Sequence, residues 1–132
     1  MEFVKSTFKK PWDFYALSRN RKISFDFMNT NPQLPWSFWW VSLNPNITTE
    51  IVKANPDLPW EYEALSRNPD ITLKMFEENP DPPWDYQALS SHSNITMEFV
   101  NSNKDKPWDY GSMSCNPNLT IEFVSVNLDK DL

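Results

Sequence analysis

A single glycine, Gly111, occurs in the 132 residues. Tight hairpins depend on glycine at positive φ, so this scarcity argues against a turn-rich β fold. One cysteine, Cys115, excludes an intrachain disulfide and points to a reducing compartment, with a buried structural thiol as the expectation. Positive charge is also short: 12 Lys and Arg stand against 18 Asp and Glu, a formal net charge of −6. Phosphate binding needs clustered cations to release counterions, so nucleic acid is not expected as a partner and a basic or neutral protein suits the chain better. No stretch approaches the roughly 20 apolar residues that span a bilayer. The opening MEFVKSTFKK lacks the apolar segment of a signal peptide, so the expectation is an intracellular chain without a membrane partner.

What the chain does have is apolar and aromatic material, at 39% and 15%, with seven Trp and nine Phe. That is enough to build a core and argues against disorder. The material is ordered by a repeat. Pro-Trp recurs at Pro11-Trp12, Pro35-Trp36, Pro59-Trp60, Pro83-Trp84 and Pro107-Trp108, 24 residues apart each time. A period of this length marks an array in which each unit buries its apolar face only against its neighbours. The units run 11–34, 35–58, 59–82, 83–106 and 107–130, and residues 1–10 match the second half of a unit.

Positions within a unit are counted from the Pro of Pro-Trp as position 1. Trp12, Ala16 and Leu17 are spaced to share one face of a short helix beginning near Pro11, where the first turn does not need the missing N–H. Asn20 closes it, and in later units the turn reads Asn44-Pro45, Asn68-Pro69 and Asn116-Pro117. A second helix starts after Thr48 as N-cap, with Glu50 in its first turn, buries Ile51 and Val52 and stops at Asn55-Pro56. Two helices of two to three turns per unit follow, too short to stand alone in water. The fold class is therefore all-α: an α-solenoid of five 24-residue two-helix repeats with an N-terminal half-repeat cap at 1–10, forming one domain. At about 10 Å per packed layer it would be on the order of 50 Å long.

The run Ala64-Leu65-Ser66-Arg67-Asn68-Pro69-Asp70 and Ile71-Thr72 resembles the leucine-rich repeat variant, a helical unit built around an Asn-Pro turn. With Pro-Trp-Asp-Tyr, Ala-Leu-Ser and Asn-Pro-Asn-Ile-Thr added, the whole chain is more similar to short Pro-Trp repeats of giant DNA viruses and their virophages. This resemblance implies an α-solenoid of viral origin, in the cytoplasm of an infected cell or in a virion, and brings no catalytic residues. Unit 4 departs from the pattern at Ser91-His92-Ser93, where a looser turn is expected.

Registers that do not vary are read as scaffold. Ser18, Ser42, Ser66, Ser90 and Ser114 at position 8 have no histidine beside each one and read as small residues packed at a helix end rather than nucleophiles. Asn20, Asn44, Asn68 and Asn116 at position 10 read as a ladder satisfying turn carbonyls, with His92 substituting in unit 4. The acidic rows Asp57, Asp81, Asp105 and Asp129, and Asp13, Glu61, Asp85 and Asp109, would lie about 10 Å apart between layers. That is too far to share an ion whose ligands sit at about 2.4 Å, so capping and a solvated face are expected. Three sequons, beginning at Asn46, Asn94 and Asn118, fall on the repeat consensus and read as structural. No catalytic, cofactor or metal residue is assigned.

Variable registers carry the functional expectation. Positions 5 and 9 share an exposed helix face, with the pairs Tyr15/Arg19, Trp39/Leu43, Glu63/Arg67, Gln87/Ser91 and Gly111/Cys115. An aromatic patch with an arginine is the usual composition of an interface centre. Tyr15, Arg19, Trp39 and Leu43 are therefore the candidate protein-binding residues, against the alternative that Trp39 folds over the neighbouring unit. Glu63 and Arg67 are placed for an ion pair. Trp40 stands where other units have Ala16, Ala64, Ala88 and Ser112, so the ring must displace its surroundings or reach outside and local distortion of unit 2 is expected, overpacking otherwise costing about 1–3 kcal/mol. Exposed apolar ends, Phe3, Val4 and Phe8 at one and Phe123, Val124, Val126 and Leu128 at the other, suggest a structural homo-oligomer stacked end to end as the second function.

Overall fold

The computed structural model describes residues 10–128. These hold ten α-helices and no strand. In chain order they are α1 (Phe14–Arg19), α2 (Phe25–Thr30), α3 (Phe38–Leu43), α4 (Thr49–Ala54), α5 (Tyr62–Leu65), α6 (Leu73–Glu78), α7 (Tyr86–Ser90), α8 (Met97–Ser102), α9 (Tyr110–Met113) and α10 (Ile121–Val126). Each 24-residue unit of the sequence supplies two helices. Residues 1–9 of the expected half-repeat cap lie outside the described residues. Among those described, no helix is long and apolar enough to cross a membrane.

The helices are four to six residues long, shorter than the two to three turns expected. They are also not led by proline. α1 opens at Phe14 with Asp13 as an extended N-cap whose carboxylate accepts from the Ala16 amide. Pro11 and Trp12 precede it. Early capping explains the short lengths. Asn20 closes α1 by donating its backbone N–H to the Leu17 carbonyl. The second helices are opened by Ser24, Thr48, Thr96 and Thr120, whose hydroxyls accept from the amide three residues on.

Such short helices leave most of their end groups without intrahelical partners, and neighbouring units supply them. Ser18 Oγ donates to the Phe14 carbonyl and accepts from the amide of Ser37, 2.9 Å away in the next unit. Ser42, Ser66 and Ser90 accept in the same way from the amides of Glu61, Asp85 and Asp109 at 3.1, 2.9 and 2.9 Å. Two residues on, Asn44, Asn68 and Asn116 donate backwards from Nδ2 to the carbonyls of Ser18, Ser42 and Ser90 at 2.8, 2.8 and 3.0 Å. The Oδ1 atoms of these asparagines accept from the amides of Asn46, Asp70 and Asn118.

His92 occupies this register in unit 4 and reproduces the forward bond, while its backward bond goes to the Asn68 carbonyl instead of the position-8 serine carbonyl. Nδ1 accepts from the Asn94 amide at 3.0 Å, so the proton resides on Nε2, 2.9 Å from the Asn68 carbonyl. The turn is not loosened: His92 N donates to Leu89 O and Ile95 N to His92 O, both at 3.0 Å, as Asn44 and Ile47 do in unit 2. Burial holds the imidazole pKa below its ordinary 6.5, opposed by the Asn68 bond.

The apolar core follows the same registers. Val41, Leu65, Leu89 and Met113 of the first helices, with Ile23, Ile47, Ile71 and Ile95 after the turn, are buried. α1 packs on α3, α3 on α5 and α7 on α9. The Pro-Trp tryptophans of units 2 to 5 are each held from two sides. The indole N–H of Trp36, Trp60, Trp84 and Trp108 donates to the carbonyl of Asn31, Asn55, Asn79 and Asn103 at 2.7–2.9 Å. Its ring meets the edge of Phe14, Phe38, Tyr62 or Tyr86 from the preceding unit, with centroids 5.0–5.8 Å apart.

Two predictions follow from these junctions. Asn68→Ala leaves the Ser42 carbonyl and the Asp70 amide without partners and should lower unfolding free energy by about 3 kcal/mol, measured by urea denaturation. His92→Asn should leave stability at pH 8 nearly unchanged while removing one acid-sensitive component. Because the folded-state pKa of His92 is depressed, its neutral form contributes fully above pH 6.5. That contribution is lost as pH falls below 6.5 towards the folded value. A parent and variant whose melting temperatures fall in parallel between pH 7 and 5 would contradict this.

Candidate interaction surface

The invariant rows are occupied by internal bonding. The position-8 serine hydroxyls of units 1, 3 and 4 each donate to a carbonyl in their own helix and accept an amide from the next unit. These hydroxyls are engaged as both donor and acceptor within the chain, and Ser18, Ser66 and Ser90 are fully buried. The sequon asparagines are similarly engaged: Asn46, Asn94 and Asn118 each donate from Nδ2 to two carbonyls of the preceding unit at 2.8–3.1 Å. Those nitrogens are the atoms a glycan would need. Asp13, Asp85 and Asp109 are N-caps, whereas Glu61 at the same register makes no cap bond. Among the described residues no three His, Cys, Asp or Glu side chains come together as a metal site.

The expected partner-binding residues lie on the first-helix edge. Tyr15 is 67% exposed, Arg19 is exposed, and Trp39 and Leu43 are half-buried. The expected grouping is rearranged by contacts between units. Arg19 stacks on Trp40, with its guanidinium carbon 4.8 Å from the ring centroid. Trp39 is instead faced by Arg67 of the following unit, at 5.8 Å. Among the described residues no ring contact joins Tyr15 to Trp39. The edge therefore reads Arg19, Trp40, Trp39 and Arg67 across units 1 to 3, with Tyr15 and Leu43 beside it.

Arg67 makes two polar contacts within the chain. Nη1 donates to the Glu63 carbonyl at 2.8 Å and Nη2 pairs with Asp85 Oδ2 at 2.9 Å. The expected Glu63–Arg67 side-chain pair is thus replaced by a link from unit 3 to unit 4, because Asp85 lies within reach of the fork and the Glu63 carboxylate is left to solvent. Trp40 does not distort unit 2 as expected. α3 keeps the six-residue span of α1, and both junction bonds through Ser42 and Asn44 are intact. Its ring reaches out beneath Arg19 instead. Cys115 is exposed, not buried, since position 9 faces outward here as it does at Arg19, Arg67 and Ser91.

The sequence reading missed Trp40 and Arg67 as members of this edge. Both lie on position 6 or 9, but the contacts cross unit boundaries, so spacing within one helix did not reveal them. Trp40→Ala, which restores the residue found in units 1, 3 and 4, should change stability by no more than about 1 kcal/mol, the worth of an exposed cation–π contact. A loss above about 3 kcal/mol in thermal or urea unfolding would show the ring to be core. Comparison of the chain with protein-family models, with curated proteins and with solved structures finds no match in any of the three.

Proposed function

We propose that this chain is a non-enzymatic α-solenoid of five 24-residue two-helix repeats with an N-terminal half-repeat cap, whose first-helix edge over units 1 to 3 binds another protein. The observation that carries the reading is the concentration of Tyr15, Arg19, Trp39 and Leu43 on positions 5 and 9, which later units fill with Glu63, Arg67, Gln87, Ser91, Gly111 and Cys115, together with Trp40 of position 6 beneath Arg19. Rings stacked with arginine are rigid, lose little entropy on binding and are typical of interface hot spots. Cross-unit bonds that recur between residues 19 and 26 positions apart support the array. The engaged serines support a role outside catalysis. Similarity to giant-virus and virophage repeats supports a viral setting, in the infected cell's cytoplasm or the virion.

A photo-crosslinker placed at Tyr15, in extract of the native host, tests the reading, with a second placed at Glu122 as control. The expected result is one dominant adduct from Tyr15 alone, weakened in Trp39→Ala/Leu43→Ala by roughly 30-fold or more, equivalent to about 2 kcal/mol. Equal capture by parent and variant, or by both crosslinker positions, removes it.

A second reading, end-to-end self-association as a structural protein, is supported by the C-terminal face. Ile121, Val126 and Leu128 are 77%, 72% and 75% exposed, beside an apolar hollow lined by Tyr110, Met113, Leu119, Phe123 and Val124. The residues Phe3, Val4 and Phe8 expected to meet it lie outside the described residues. Concentration-dependent scattering that Val126→Glu/Leu128→Glu abolishes would favour it over the first reading.

A further inference from the structure

Charge is distributed unevenly along the chain. Residues 1–22 hold six of the 12 Lys and Arg but only two of the 18 acids, giving +4, while the remaining residues carry −10 to make the total of −6. A net acidic composition thus conceals a basic cluster, which the expectation of a basic or neutral partner, drawn from net charge, did not consider. Lys10, Arg19, Arg21 and Lys22 are all exposed. Among the described residues none of the four has a carboxylate within 4.0 Å.

The backbone under this cluster is held in place. Asn20 Oδ1 accepts from the Lys22 amide, and the Arg21 carbonyl accepts from Asn46 Nδ2, both at 2.8 Å. Arg19 differs from Arg67 in what it leaves unused. Both lie over an indole, but Arg67 has one N–H on the Glu63 carbonyl and its charge paired with Asp85. The Arg19 guanidinium has no hydrogen-bond acceptor among the described residues. A guanidinium held over an aromatic ring and without an acceptor of its own keeps its planar fork available, and that fork can grip a carboxylate with two parallel bonds.

We propose that Arg19, Arg21 and Lys22, with Trp40 and Tyr15, bind a short acidic peptide segment of the partner protein, Arg19 holding one carboxylate in bidentate fashion. The proposal rests on reading this edge as a protein-binding surface and names the chemistry of what it takes. The favourable stretch is short. Its cations lie in unit 1 and Trp40 in the next layer, a stretch of at most about 20 Å, which about six extended residues would span. Beyond it the same registers turn neutral at Asn46, Gln87 and Ser91 and acidic at Glu63 and Asp70, and their one further cation, Arg67, is paired with Asp85, so a polyanion as long as a nucleic acid would meet no free cation there. A segment with three or four acids matches the free cations without reaching those positions.

Fluorescence anisotropy with a labelled Glu/Asp hexapeptide tests this, beside a Gln/Asn hexapeptide and a thymidine oligonucleotide of equal charge. The acidic peptide should bind at low salt and weaken as salt rises. Arg19→Gln and Arg21→Glu/Lys22→Glu should each lower its affinity by roughly tenfold, with melting temperature unchanged. Lys104→Gln, exposed in unit 4, should bind like the parent. The proposal is overturned if the acid and amide peptides bind alike, if the charge variants match the parent, or if the oligonucleotide binds more tightly than the peptide. Loss of crosslinking in Trp39→Ala/Leu43→Ala alongside unaffected peptide binding by the charge variants would leave the interface standing and remove only its acidic ligand.

Discussion

Every helix among the described residues is too short to satisfy its own ends, and the whole arrangement depends on how those ends are completed. A six-residue helix forms only a couple of internal hydrogen bonds against a costly nucleation step, so in isolation it would melt. Here a serine hydroxyl receives the amide that opens the next first helix, and an asparagine amide fills the carbonyls that close the previous one. Both groups are fully buried at Ser66 and Asn68. In that environment a lost partner costs far more than a bond exposed to water contributes. The same pressure makes His92 acceptable: its neutral ring offers one donor and one acceptor in nearly the places the asparagine amide does.

Much of this could be read in the sequence because the repeat compares each position with itself. Five copies separated invariant registers from variable ones, and the roles assigned to Asn68 and His92 agree with their hydrogen bonds, whereas Ser66 was read only as a small packed residue and its bond to the next unit was missed. Helix boundaries were less legible. Proline fits a first helical turn, and only the extended backbone at Asp13 and its side-chain cap show that the helix begins after Pro-Trp. The destination of the indole N–H was also missed, although a signal existed: an asparagine stands five residues before the Trp of the next unit at every junction, as at Asn55 and Trp60.

The candidate surface was legible in part. Tyr15, Arg19, Trp39 and Leu43 were found because they break a polar register. Which arginine meets which ring depends on the rotation of one unit against the next, and periodicity within a helix does not encode it. Arg19 therefore sits on Trp40, Arg67 on Trp39, and Asp85 takes the ion pair expected of Glu63. Net charge misled for a related reason, since a sum over the chain hides the segregation of cations into its first 22 residues. A fixed scaffold with a freely varying edge is the arrangement in which binding specificity can change without disturbing the fold.

Native-state hydrogen exchange at the amides of Glu61, Asp85 and Asp109 tests the central claim most directly. These residues precede their helices, so no intrahelical bond protects them. Their only acceptors are the hydroxyls of Ser42, Ser66 and Ser90 in the preceding unit. Protection equal to that of the Leu65 and Leu89 amides inside the helices is the predicted result. Exchange at the rate of an exposed loop would contradict the claim that bonds between units complete the helix ends.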